Sequence, residues 1–137
     1  MHSRMAGLTA AAFLVGVLLG TAAPAMGWAA SITCGSTYPI CVSRDDNLTV
    51  PRAVTATTDN SYVGDQYFNT TDDINNSASS VRNAFAANDV TFFTGTSGGG
   101  NSYPLDSGQV NNDLGSFGSG WEDQFSSHAK VANDSLC

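Results

Sequence analysis

Two octets 47 residues apart carry matching runs of oxygen-bearing side chains. They are Ile74-Asn75-Asn76-Ser77-Ala78-Ser79-Ser80-Val81 and Trp121-Glu122-Asp123-Gln124-Phe125-Ser126-Ser127-His128. Each reads as one apolar residue, two Asn, Asp or Glu residues, two variable positions and Ser-Ser. Carboxamide, carboxylate and hydroxyl oxygens are hard donors. A compact loop that concentrates them suits Ca²⁺, which takes about six to eight such ligands in a flexible shell. The same residue types also satisfy backbone donors where a chain enters a strand, so the octets have a purely structural use as well.

Other residues invite catalytic readings and fall short of them. Gly95-Thr96-Ser97-Gly98-Gly99 fits G-x-S-x-G, which would make Ser97 a nucleophile. That motif works on a strand-to-helix elbow, whereas a glycine run follows here, and the segment reads as a hairpin loop. A base for Ser97 would have to be His128, which is expected on the surface of the last strand with no partner in view. Asp72-Asp73 and Glu122-Asp123 are adjacent pairs. Neighbours on a strand point to opposite faces, so both read as solvated loop charge rather than acid–base machinery. No catalytic residue is assigned, and the chain is not expected to be an enzyme.

The N-terminus bounds the compartment. Arg4 precedes an apolar run from Met5 to Leu19, and small residues follow, with an A-x-A site at Ala23–Ala25. This is the plan of a secretory signal peptide, with cleavage between residues 25 and 30 and Ala25 fitting best. The run is shorter than the ~20 residues that span a bilayer. The expectation is a secreted chain with signal peptide 1–30 and a single domain over 31–137. After removal of the leader, four basic and twelve acidic residues remain, a formal charge of −8. Such a surface repels phosphate backbones and anionic lipid, which argues against nucleic-acid and membrane partners.

Three cysteines, Cys34, Cys41 and Cys137, suit an oxidising compartment. A Cys34–Cys41 bridge would contribute ~2.5 kcal/mol in the chain-entropy model, and a Cys41–Cys137 bridge ~4.7 kcal/mol. Spacing leaves the connectivity open. Cys137 either pairs, stays free or links two chains, so the expected state is a monomer or a Cys137-linked dimer.

The elements that must position these groups are short. Gly, Ser, Thr, Asn and Asp dominate, and alternating apolar runs are separated by turn-formers, which predicts an all-β domain. Strands are predicted at Pro39–Ser43, Thr49–Thr55, Tyr62–Phe68, Ala78–Phe85, Asp89–Thr94, Asn101–Leu105 and Phe125–Val131. Shifting Ile40-Cys41-Val42-Ser43 by about the octet offset lands near Val90-Thr91-Phe92-Phe93. The chain therefore divides into two similar units, roughly 31–86 and 87–137.

These residues resemble the βγ-crystallin superfamily, whose Greek-key motifs carry N/D-N/D-x-x-S/T-S before the last strand. Asn75 to Ser80 match every defined position, and Glu122 to Ser127 match except that Glu122 replaces Asn or Asp. Within the superfamily, Ala78-Ser79-Ser80-Val81-Arg82-Asn83 and the Cys34, Tyr38, Cys41 spacing are most similar to secreted bacterial I36 peptidase inhibitors. The first unit lacks the family's aromatic-x-x-aromatic-x-Gly hairpin signature, and the second keeps part of it as Phe92, Phe93 and Gly95.

The resemblance implies two Greek-key motifs packed as a βγ-crystallin-like β-sandwich. It implies calcium as the cofactor, with Asn75, Asn76, Ser77, Ser79 and Ser80 from the first loop and Glu122, Asp123, Gln124, Ser126 and Ser127 from the second as ligands. It also implies a protease as partner, inhibited without chemistry of the chain's own. Tyr38, Pro39 and Ile40, inside the Cys34–Cys41 loop, are the candidate inhibitory segment. A calcium-stabilised structural, binding or toxin-like module is the alternative.

Overall fold

The computed structural model describes Trp28, residues 33–116 and residues 120–132. The expected leader and Cys137 lie outside the described residues. Seven strands occur in the described chain: β1 (Ile40–Ser43), β2 (Arg52–Thr55), β3 (Ser80–Asn83), β4 (Asn88–Phe93), β5 (Ser102–Leu105), β6 (Val110–Asn111) and β7 (Ser127–Ala132). They form two antiparallel sheets, one in the order β2-β1-β3-β6 and the other β5-β4-β7.

The two halves of the chain interlock. β6 comes from the second half yet pairs with β3 of the first, through Val81↔Asn111 and Arg82↔Val110. In return, Asp59 of the first half bridges to His128 on β7. Each half therefore completes the other's sheet, and neither would bury its core face alone. This is an all-β sandwich of two Greek-key motifs, as the βγ-crystallin resemblance implies.

The core lies between the sheets. Ile40, Val42, Ala53 and Val81 face inward from one sheet, and Val90, Phe92 and Leu105 from the other. Tyr62, Tyr67, Ile74, Leu114 and Phe125 are supplied by loops. Phe92 and Phe125 stack with centroids 5.1 Å apart. Aromatic rings of this size bury ~150–250 Å² each, which a small domain needs. Trp28 belongs to this core too, at 7 % exposure. The folded unit thus reaches upstream of residue 31, and a chain cleaved after Ala25 retains that ring.

One predicted strand is absent and one observed strand lies outside the predicted set. Tyr62–Phe68 is not a strand. Asp65 N–H donates to the Tyr62 carbonyl (3.0 Å) and Thr70 N–H to that of Tyr67 (3.1 Å), and Gly64 and Asn69 adopt left-handed φ of 86° and 58°. Tight local turns consume the amides a ladder would need. β6 escapes the sequence pattern because two residues are too few to show alternation. Pro104 sits in β5 at a sheet edge, where its missing N–H costs no ladder bond.

The disulfide joins Cys34 to Cys41, with Cα atoms 5.9 Å apart, within the range a disulfide spans without backbone movement. Cys41 and its cross-strand neighbour Val54 are fully buried but lie outside the inter-sheet core.

Candidate functional site

The octets meet across an approximate twofold relation. Asn76 and Asp123, 47 residues apart, both adopt left-handed φ, 54° and 55°, a conformation that Asn and Asp tolerate better than most residues. Asn76 N–H donates to the Phe125 carbonyl (2.9 Å), and Asp123 N–H donates to that of Ala78 (3.0 Å). These bonds are images of one another, so each loop is held against its counterpart from the other motif.

The last serine of each octet faces away from this junction. Ser80 Oγ donates to the Asp45 carbonyl (2.7 Å) and accepts from Leu48 N–H (3.0 Å). Ser127 Oγ donates to the Gly95 carbonyl (2.6 Å) and accepts from Gly98 N–H (3.3 Å). Each pins the 3₁₀ turn of its own first hairpin, Asp46–Leu48 or Thr96–Gly98. Ser77 Oγ likewise turns inward, onto the carbonyls of Asp73 and Ile74. In this geometry the Ser77, Ser80 and Ser127 hydroxyls are engaged by backbone groups of their own motif. Gln124 is exposed beside Trp121.

Two smaller oxygen clusters remain, each drawing on both motifs. In one, Ser126 Oγ of the second motif donates to Asn76 Oδ1 of the first (2.9 Å), next to Asn75. In the other, Ser79 Oγ of the first motif donates to Glu122 Oε1 of the second (3.3 Å). Asn75 Oδ1 is buried without a hydrogen-bond partner, and such an orphan acceptor suits a cation. Gly115 leaves the space Glu122 occupies, since a Cβ there would meet Glu122 Oε2 at 2.5 Å.

The clusters differ in charge. Beside Glu122 stand Asp113 and Asp46, which the sequence reading did not single out. Leu114 N–H on the Ser79 carbonyl (2.8 Å) and Asn47 N–H on the Asn112 carbonyl (2.7 Å) bring their segments together. Desolvation, followed by the charges of Asp113, Glu122 and Asp45, raises the Asp46 pKa above its ordinary value. In the first cluster, Ser97 N–H on the Asn60 carbonyl (2.6 Å) is the equivalent contact, and Thr96 and Ser61 stand where the second has Asp46 and Asp113. Among the described residues, no group of three or more His, Cys, Asp or Glu side chains could by itself hold a metal ion. Any shell would lean on Asn, Ser and backbone oxygens.

His128 is not on the surface. It is 1 % exposed on the inner side of β7. Its Nε2 lies 2.7 Å from the Thr57 carbonyl and its Nδ1 2.7 Å from Tyr62 Oη. A carbonyl only accepts, so Nε2 carries the proton and Nδ1 accepts from the tyrosine. Burial lowers its pKa to about 4, with the Thr57 bond and the Asp59 charge opposing that shift. Burial also raises the Tyr62 pKa well above its ordinary value, with the Asp59, Tyr67 and Asp65 charges adding to the rise. Both ring nitrogens of His128 are engaged, and Ser97 lies exposed in the Thr96–Gly98 turn, so the imidazole is not placed to serve it.

Trp28, Tyr62 and His128 form a triangle with all ring centroids 5.6 Å apart. Beside it lie two buried carboxyls, Asp59 and Asp65, at 3 % and 4 % exposure. Burial pushes Asp65 up to about 7, and the charge and close approach of Asp59 add to the rise. The Trp28 indole opposes it, and Asp73 contributes weakly.

The candidate inhibitory segment is not presented. Ile40 is fully buried inside β1, Pro39 is buried, and Tyr38 is half-buried. Ser36 and Thr37 are the exposed residues within the Cys34–Cys41 loop.

No family model matches the chain, and no curated protein does. Solved structures do. A βγ-crystallin domain from Flavobacterium johnsoniae is 24 % identical, covers 70 % of this chain and 97 % of its own length, and superposes with a TM-score of 0.54. A βγ-crystallin from Ciona intestinalis is 19 % identical over 66 % of this chain and 96 % of its own, with a TM-score of 0.52. A structure bearing on the evolution of the eye lens βγ-crystallin domain fold reaches a TM-score of 0.61 at 14 % identity, covering 74 % of this chain and 94 % of its own. The fold is that of a βγ-crystallin domain.

Proposed function

We propose that this chain is a secreted βγ-crystallin-type binding or structural module stabilised by calcium, without chemistry of its own. The observation that carries the reading is the junction of the two octets. Each oxygen cluster takes its acceptor from one motif and its serine from the other, so a cation there would tie the two motifs together. Asn75, Asn76 and Ser126 would hold one ion, and Glu122 and Ser79 the other, with backbone carbonyls and water completing each shell. Bound calcium would neutralise acidic charge and link motifs. Affinity belongs to the weak extracellular range, ~10⁻⁴–10⁻³ M, because neutral ligands predominate. Pro39 and Ile40, two of the three residues of the candidate inhibitory segment, are buried, which favours the module reading over a peptidase inhibitor.

Thermal unfolding of the oxidised chain beginning at Met26, with and without millimolar CaCl₂ and with MgCl₂ as control, tests the reading. A calcium-specific rise in Tm is expected, because a ligand that binds the folded state stabilises it by mass action. The rise should shrink in Ser79→Ala and in Ser126→Ala. An unchanged Tm would leave the octets as structural loops and remove the cation.

A further inference from the structure

The buried carboxyl pair lies outside the octet junction and has no part in the calcium reading. Asp59 Oδ1 accepts from Ser61 N–H (3.0 Å), which leaves Asp59 Oδ2 buried without a donor. Asp65 Oδ2 is buried and equally unpartnered. The two side chains lie within hydrogen-bond reach of each other, yet two carboxylates cannot pair, since both only accept. Two such buried charges would repel at close range. One proton between them supplies the missing donor and removes one charge.

The repeat provides a comparison. Asn111 Oδ1 accepts from Asp113 N–H (3.0 Å), just as Asp59 Oδ1 accepts from Ser61. The second motif thus builds the same turn with a neutral carboxamide where the first has Asp59. The turn needs no charge, and the acid at 59 is an addition specific to the first motif.

We propose that Asp59 and Asp65 form a proton-binding site in the core. One proton bridges Asp59 Oδ2 and Asp65 Oδ2 beneath the Trp28 indole, and its loss to solvent towards alkaline pH loosens the corner built by Tyr62 and His128. The titratable groups facing the pair are Tyr62 from the same loop, Asp73 from that loop's returning arm, and His128 from β7. Trp28 contributes an uncharged N–H that lies against Asp65 without completing a hydrogen bond. The site's own contribution to stability is larger in acidic than in alkaline surroundings, a pH dependence that the calcium clusters do not provide.

The test compares the chain beginning at Met26 with its Asp65→Asn variant by urea unfolding between pH 4 and pH 8.5. The carboxamide N–H can donate permanently to Asp59 Oδ2 and so mimics the protonated pair. The wild-type unfolding constant, divided by that of the variant, should rise by about tenfold per pH unit from near the ordinary carboxyl value towards neutrality, then level off. At pH 8 the variant should be the more stable protein, although it has lost a buried acid. His128 is present in both chains, so its titration cancels in the ratio. A ratio that does not change with pH overturns the proposal. Should Asp65→Asn fail to fold, infrared spectroscopy of the wild-type protein decides. A protonated-carboxyl carbonyl band persisting at pH 6 and vanishing by pH 8.5 supports the shared proton, and its absence at pH 6 sinks it.

Discussion

Adjacent serines in the same octet have opposite duties, and the difference follows from which way each strand entry turns its side chains. Ser79 and Ser126 point into the junction between motifs, onto Glu122 and Asn76. Ser80 and Ser127 point back into their own hairpins, where each hydroxyl satisfies one backbone carbonyl and one backbone amide in a part-buried contact. Removing the latter strands two backbone groups, and an unmet buried group costs ~1–3 kcal/mol. Ser80→Ala and Ser127→Ala should each lower stability by about that much in urea unfolding, equally with and without calcium. The consensus letters alone do not separate these roles, since period-two alternation assigns neighbours to opposite faces without saying which face meets a ligand.

The first hairpin of each motif is built on the same turn. Thr49 N–H donates to the Asp46 carbonyl (3.3 Å), and Gly99 N–H donates to that of Thr96 (3.0 Å). The glycines of the second hairpin are sterically required in part. A Cβ on Gly95 would meet the Gly99 carbonyl carbon at 2.9 Å and its oxygen at 3.0 Å. Gly95→Ala should cost ~1–3 kcal/mol as the turn is forced open. Gly35→Ala, where a Cβ meets nothing within 4 Å, should stay within ~0.5 kcal/mol of wild type by the same denaturation assay. The G-x-S-x-G pattern is thus a consequence of hairpin packing. Its glycines read as motif letters in sequence, but Ser97 lies exposed with no base placed beside it.

Over the whole molecule, two buried groups give opposite pH dependences. His128 has a folded pKa near 4 against 6.5 in the unfolded chain. Its contribution is complete above the unfolded value and is lost as pH falls from about 6.5 towards 4. Asp65 is raised to about 7 from 3.8, so its contribution is complete in acid and is lost as pH rises between those values. Between about pH 4 and 6.5 the two slopes oppose, and the wild-type profile should be nearly flat. In Asp65→Asn the His128 slope stands alone. Its unfolding constant should rise by about tenfold for each pH unit below 6.5, read from urea curves at pH 6.5 and 4.5. The net negative charge adds a general self-repulsion that salt screens, and it acts on both proteins alike.

The sequence by itself determined the all-β class, the twofold repeat, the pairing of polar loops with Ser-Ser strands and most strand positions, because these depend on local periodicity and turn composition. It left the disulfide connectivity open, mistook Tyr62–Phe68 for a strand, put His128 at the surface, and offered Tyr38–Ile40 as a binding segment although it also placed Pro39–Ser43 in a strand. Each of these depends on what another part of the chain covers. His128 becomes a core residue because Trp28, Tyr62 and Thr57 close over β7 from distant segments. Asp46 and Asp113 join Glu122 because a hairpin turn and the loop after β6 are hydrogen-bonded side by side. The Asp59–Asp65 pair has no sequence signal, since two acids six residues apart in a polar stretch read as solvated charge. Only the exchange of segments between the two sheets, which removes both side chains from water, makes them a proton-binding site.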